Sequence, residues 1–133
     1  MILYHGTTYK RAQSIFKDRA IKKNCERFFT EEENGDGYST DGYVYLTNEL
    51  TYALYFANCH HFVDKSEVLV VFRMDIPDNQ LLPDFDEMRY QDPTGTDRER
   101  YDSDLDCSLL EFKTCRINTD ISFDEYSIDY FCL

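Results

Sequence analysis

Tryptophan is absent from this 133-residue chain, glycine occurs five times and proline three, and no stretch approaches the roughly 20 apolar residues a membrane span requires. That lack excludes a transmembrane helix. The opening MILYHGTTYKRAQ has neither a basic lead nor a long apolar run, so it does not read as a secretory leader, and a cytoplasmic setting is expected. Paired C-x-x-C motifs are missing too. Five cysteines (Cys25, Cys59, Cys107, Cys115, Cys132) are scattered, and the odd count leaves at least one unpaired, which favours reduced structural thiols. His60 and His61 beside Cys59 do not make a metal centre by themselves, because neighbours on a helix point about 100° apart and no second ligand pair accompanies them. Basic residues are outnumbered 14 to 26, for a formal charge of −12, which disfavours general nucleic-acid binding. Repeats, linkers and low-complexity segments are absent as well, so residues 1–133 are expected to form a single domain, acting as a monomer.

The charge is uneven. Residues 1–29 hold Lys10, Arg11, Lys17, Arg19, Lys22, Lys23 and Arg27 against Asp18 and Glu26, a net of +5, so the remainder carries about −17. The basic face falls on the first predicted helix, where a solvated surface is the simplest reading.

Ile2 to Tyr4 is a short β-prone run, Gly6 reads as a turn, and Thr7 or Thr8 can cap a helix whose apolar face is Ala12, Ile15, Phe16 and Ala20. Residues 24–42 mix charge, Gly, Asn and Asp around Phe28 and Phe29 and read as a long surface loop. GYVYLT (42–47) has strand composition. NELTYALYFANC (48–59) predicts a helix with Asn48 as its cap and Leu50, Ala53, Leu54 and Ala57 on one face. EVLVVFRMDI (67–76) is the most apolar β run and is expected at the centre of a sheet. Residues 77–107 contain all three prolines and many acids and read as a long loop with one short helical turn; 108–117 and 122–133 read as two closing β segments.

Three features line up along the chain: a strand ending in His5-Gly6, a strand carrying Tyr45 that runs into a helix bearing Tyr55, and a late strand expected to begin at Glu111. In order and context they resemble the ADP-ribosyltransferase superfamily of the His-Tyr-Glu type, which includes poly-ADP-ribose polymerases and diphtheria toxin. LYHGT is similar to that family's His-Gly strand, GYVYLTNELTYALYFA to its Gly-x-x-Tyr strand and the helix after it, and LLEFKTCRI to the strand that begins with its catalytic glutamate. The resemblance covers nearly the whole chain. It implies an α+β fold, a split antiparallel β-sheet with short flanking helices, and NAD as substrate with no metal.

The chemistry agrees with that assignment. Nicotinamide is a flat cation that leaves from the anomeric carbon of a ribose, so a site must hold the ring between flat faces and stabilise an oxocarbenium-like centre. Tyr45 and Tyr55 would offer stacking faces, with cation–π attraction of up to about 2 kcal/mol when desolvated. The Gly6 backbone would approach the carboxamide, with Thr7 beside it. By the resemblance, His5 would bond the adenosine-side ribose and orient the dinucleotide. Glu111 would bond the nicotinamide ribose and favour the developing positive charge, an electrostatic effect whose loss typically costs about 10²–10³ in rate. Glu125 is a competing acid, placed second because too little chain follows it for a closing strand.

Departures from the family pattern narrow the expectation. The small hydroxyl residue three before the helix tyrosine is replaced by Tyr52, with Thr51 before it, so either hydroxyl would serve the carboxamide. Leu109 stands two before Glu111, where arginine-modifying members carry Glu or Gln, so arginine is not the expected acceptor. The arginines of the related RNA 2′-phosphotransferases have no clear counterpart. The acidic stretch 84–106, ahead of Glu111, would govern target choice and suits a protein with a basic surface; nucleic acid is the less favoured acceptor. The resemblance thus implies a compact bacterial or phage effector or toxin that transfers single ADP-ribose units. From a different class, the −12 charge alone would also suit an acidic protein that binds basic partners by charge mimicry, without catalysis.

Overall fold

The computed structural model describes residues 1–23, 40–92 and 105–133. Five strands, β1 (Ile2–Thr8), β3 (Val44–Thr47), β4 (Leu69–Asp75), β5 (Thr114–Ile117) and β7 (Ile128–Cys132), form an antiparallel sheet in the order β5-β3-β1-β4-β7. A second small sheet pairs β2 (Ala20–Ile21) with β6 (Ile121–Ser122). Among the described residues four α-helices flank them: α1 (Tyr9–Asp18), α2 (Leu50–Asp64), α3 (Phe85–Gln91) and α4 (Leu105–Glu111). The class is α+β, as expected. Among the described residues no helix is long and apolar enough to cross a membrane.

Side-chain alternation divides the sheet into two faces. Leu3, Leu46, Val70, Phe72, Met74, Cys115 and Ile117 share one face and pack with Ala12, Ile15 and Phe16 of α1 and with Ile21 and Ile121 of the small sheet. Tyr4, Gly6, Thr8, Tyr45, Thr47, Thr114 and Arg116 lie on the other face by register. There α2 presses on β1 so closely that a Cβ on Gly6 would stand 1.9 Å from the Ala53 carbonyl oxygen. That approach is why glycine occupies the position.

Several expectations change. The first strand does not stop at Tyr4, and Gly6 is no turn: β1 continues to Thr8, because pairing with β4 runs unbroken from Ile2↔Asp75 to Thr8↔Leu69. Thr8 then caps α1 by accepting the Arg11 N–H at 3.3 Å, and Arg19, in the left-handed region at φ 52°, ends the helix. Asn48 is not the cap of α2. Its amide instead donates to the Leu109 carbonyl at 3.1 Å, and Glu49 takes the cap position without a side-chain bond. α2 also runs on to Asp64, beyond the expected Cys59. The expectation of a central strand at the most apolar run holds: β4 lies inside the sheet, between β1 and β7.

The segment 77–107 is more helical than expected, with a 3-10 turn at Asp78–Gln80, then α3 and the start of α4; residues 93–104 lie outside the described residues, as do 24–39. Residues 108–117 are not one strand. Leu105, Ser108, Leu109 and Phe112 recur at helical spacing and turn inward, so the run begins as α4, and Lys113 at φ 62° redirects the chain into β5. A closing strand does follow Glu125, because the five residues of β7 suffice to pair with β4 from Met74↔Ile128 to Val70↔Cys132.

Candidate functional site

The sheet is nearly parted between β1 and β3. Tyr9 donates to the Val68 carbonyl (2.8 Å) and Ile76 to that of Met1 (3.0 Å), which sets the phase of the β1–β4 ladder. Odd-numbered residues of β1 bond β4, so the peptide groups of even-numbered ones, Gly6 included, point at β3. Yet β1 and β3 register only at Tyr4↔Thr47. Gly6 with Tyr45 would be the next bonded pair, and it is not formed. The His5 ring takes up the Tyr45 carbonyl instead, at 3.0 Å from Nδ1. A carbonyl only accepts, so Nδ1 carries the proton, and Nε2 of the neutral ring is left as an acceptor. Burial holds His5 below the ordinary histidine value, against a smaller upward pull from the Tyr45 carbonyl bond, which keeps the ring neutral near pH 7.

Tyr45 is tied at its far end as well. Residue 82 bridges the outer edge of β5, with Leu82 and Arg116 exchanging backbone bonds of 2.8 and 2.9 Å, and this brings α3 against β5. Asp86 of α3 then meets the Tyr45 hydroxyl, the Thr40 N–H and Oγ1 (both 2.8 Å), Arg89, and Nη1 of Arg116 at 3.4 Å. Arg116 stands across the β3–β5 pair from Tyr45, with its guanidinium 3.9 Å from the Tyr43 ring centre and 5.0 Å from that of Phe85. The side chains of Asp86 and Arg116 are each 7% exposed, a depth at which a lone charge would be very unfavourable and a paired one is tolerated. Burial and the Asp86 carboxylate push the Tyr45 phenol well above the ordinary tyrosine value. Next to this group, burial raises Asp84 to about 7.

The predicted site residues divide. His5, Gly6 and Tyr45 meet at the seam through the bond from the His5 ring to the Tyr45 carbonyl, but by register the His5 side chain lies on the α1 face and the Tyr45 ring on the α2 face. Thr7 does not open onto it, since the strand carries its side chain to the α1 face, where it is buried opposite Val70. Thr51 is exposed and Tyr52 half-buried in the first turn of α2. Tyr55 does not face Tyr45: it is 57% exposed, its hydroxyl interacts with Cys59 one turn on, and Glu87 and Tyr90 of α3 lie close enough to act on it. The described ring beside Tyr45 is that of Tyr43, at 6.3 Å. Glu111 does not begin a strand but is the exposed last residue of α4, three positions ahead of β5. Bonds from Asn48 and Thr47 to the Leu109 and Lys113 carbonyls fasten it beside the turn that follows β3. Glu125 lies in the exposed turn between β6 and β7.

Asp84 and Asp86, expected as part of an acidic target loop, are buried, and Asp102 and Asp104 fall outside the described residues. Sequence reading missed Asp86 and Arg116. The one signal is Arg116, a base between Cys115 and Ile117 in a strand-like run; Asp86 sits among other charged residues, and no local pattern joins the two. No protein family matches this chain, and neither a curated protein nor a solved structure matches it.

Proposed function

We propose that the protein is an NAD-dependent mono-ADP-ribosyltransferase that transfers ADP-ribose to a macromolecular acceptor, a protein with a basic surface, and releases nicotinamide. The observation that carries this reading is the unformed Gly6–Tyr45 pair, beside a neutral His5. A parted antiparallel sheet offers a peptide edge at Gly6 to a carboxamide, the Tyr45 ring on the α2 face to a flat cation, and, from the other face, the His5 Nε2 acceptor to a ribose hydroxyl. The antiparallel sheet with helices on both faces is compatible with the split-sheet fold of the ADP-ribosyltransferases, which is part of the same proposal. Glu111 is the acid in this reading. Its fastening to the turn after β3 supports the role by keeping it near the strand that bears Tyr45.

Nicotinamide release from NAD tests this, using the purified protein with and without cell extract treated with protease or nuclease. Release should fall about 10²–10³-fold in Glu111→Ala, while His5→Ala should chiefly raise KM. Loss of the extract-stimulated portion after protease treatment would identify a protein acceptor. If wild type releases no nicotinamide under any condition, the transferase reading falls, and the −12 charge favours a non-catalytic acidic binding protein instead.

A further inference from the structure

We propose that Asp86 is a positioning residue for Tyr45, pinning its phenol so that the ring is held beside the opening in the sheet where the nicotinamide would stack. The proposal rests on the transferase reading for its ligand and on independent geometry for its mechanism. A tyrosine on a strand turns about two side-chain bonds, and a core tyrosine ordinarily settles its ring by packing and leaves the hydroxyl in water. Here the hydroxyl goes inward. It lies between the Thr40 carbonyl at 3.0 Å and the Asp86 carboxylate, 41 residues further along the chain.

Asp86 can serve as an anchor because it is itself immobilised. Thr40 holds both of its oxygens, Arg89 approaches one and Arg116 the other, and Arg116 is stacked against Tyr43 and Phe85. A simple structural ion pair would need only Asp86 and Arg116. The phenol adds a charge-assisted bond, stronger than a neutral one, to the residue whose backbone also takes the His5 ring. Tyr45 is therefore fixed at both ends, its carbonyl by His5 and its hydroxyl by Asp86. A ring held in place before the ligand arrives gives up little freedom on stacking, and the gain appears in binding rather than in the chemical step.

NAD cleavage kinetics of Tyr45→Phe, Asp86→Asn and the double variant test the mechanism. Tyr45→Phe keeps the ring and the Asp86–Arg116 pair and removes only the anchor. It should raise KM for NAD about tenfold, the worth of one bond to a charged group, with kcat within about threefold of wild type. Asp86→Asn should raise KM at least as much, and adding Tyr45→Phe to it should change KM little further. An unchanged KM in Tyr45→Phe, or additive effects in the double variant, would overturn the proposal and leave Asp86 a purely structural acid.

Should Asp86→Asn fail to fold, Tyr45→Phe alone decides. The second measurement is the proton NMR spectrum, in which a carboxylate-held phenol should give a slowly exchanging hydroxyl resonance that disappears in Tyr45→Phe. Absence of such a resonance in wild type refutes the pinning. Its presence in a protein that cleaves no NAD upholds the pinning and removes the transferase reading instead.

Discussion

Gly6 carries two demands at one position. Its missing Cβ lets the Ala53 carbonyl of α2 approach to where a methyl group would sit at 1.9 Å, and its peptide edge faces the parted side of β1. Backbone cannot move aside as a flexible side chain would. Gly6→Ala should therefore push α2 off the sheet, lowering stability by about 1–3 kcal/mol or more in urea unfolding. An unchanged midpoint would mean that α2 is not held against β1 in solution. A histidine before a glycine stands out in the sequence, but the reason for the glycine is not legible there. The contact is made by a residue 47 positions away, and the bond that replaces the ladder comes from a side chain whose neighbours in sequence do not announce it.

At the scale of elements, α3 shows how a helix can depend on pH. Asp84 is its N-cap: its carboxylate accepts the Glu87 N–H at 3.0 Å, its carbonyl accepts the Met88 N–H at 3.1 Å, and its own N–H donates to Ser108 Oγ at 3.0 Å. Burial raises its carboxyl from 3.8 to about 7, so the folded chain holds that proton more tightly than the unfolded one. The stability contributed by protonated Asp84 is then complete below about pH 4 and is lost as pH rises through 7. Asn caps as well as Asp and cannot ionise. Asp84→Asn should match wild type at pH 4 and exceed it at pH 8, by on the order of 2–4 kcal/mol. Thermal unfolding at the two pH values checks this, and a variant less stable than wild type at pH 8 would contradict it.

The same element shows where local pattern is silent. Phe85–Gln91 has too few turns for a periodicity to stand out, and its buried acids, Asp84 and Asp86, look in sequence like a solvated loop. LLEF resembles a strand because short apolar runs suit either state; the inward spacing of Leu105, Ser108, Leu109 and Phe112 favours the helix only once a core exists to receive it.

Over the whole molecule, three cations of the basic first segment are answered by acids from elsewhere in the chain. Arg11 pairs with Asp64 at 3.4 Å, Arg19 with Asp124 at 3.1 Å and Lys22 with Asp120 at 3.5 Å, so acids from distant parts of the chain face it. The exposed pairs among these are worth well under about 1 kcal/mol each. Net repulsion at a charge of −12 outweighs them, and salt screens it over a Debye length of about 10 Å at 0.1 M. Raising NaCl from about 10 mM to 0.3 M should therefore raise Tm by several degrees. A fall in Tm would show that the ion pairs dominate over the excess negative charge.

Composition and local pattern by themselves determined a first helix starting after Thr7 or Thr8, the strand at Tyr45, the helix after it, and an apolar strand within 67–76. Those features depend on neighbours within a few residues, through strand alternation, helical spacing and capping. Tertiary structure alone decided that Gly6 faces a gap, that His5 bonds the Tyr45 carbonyl, that Asp86 meets the Tyr45 hydroxyl and Arg116 the Tyr43 ring, and that Glu111 ends a helix. Each of these joins groups far apart in the chain or chooses between two local states of similar energy. Only the packed sheet, by excluding water and fixing register, makes one arrangement lower than the other.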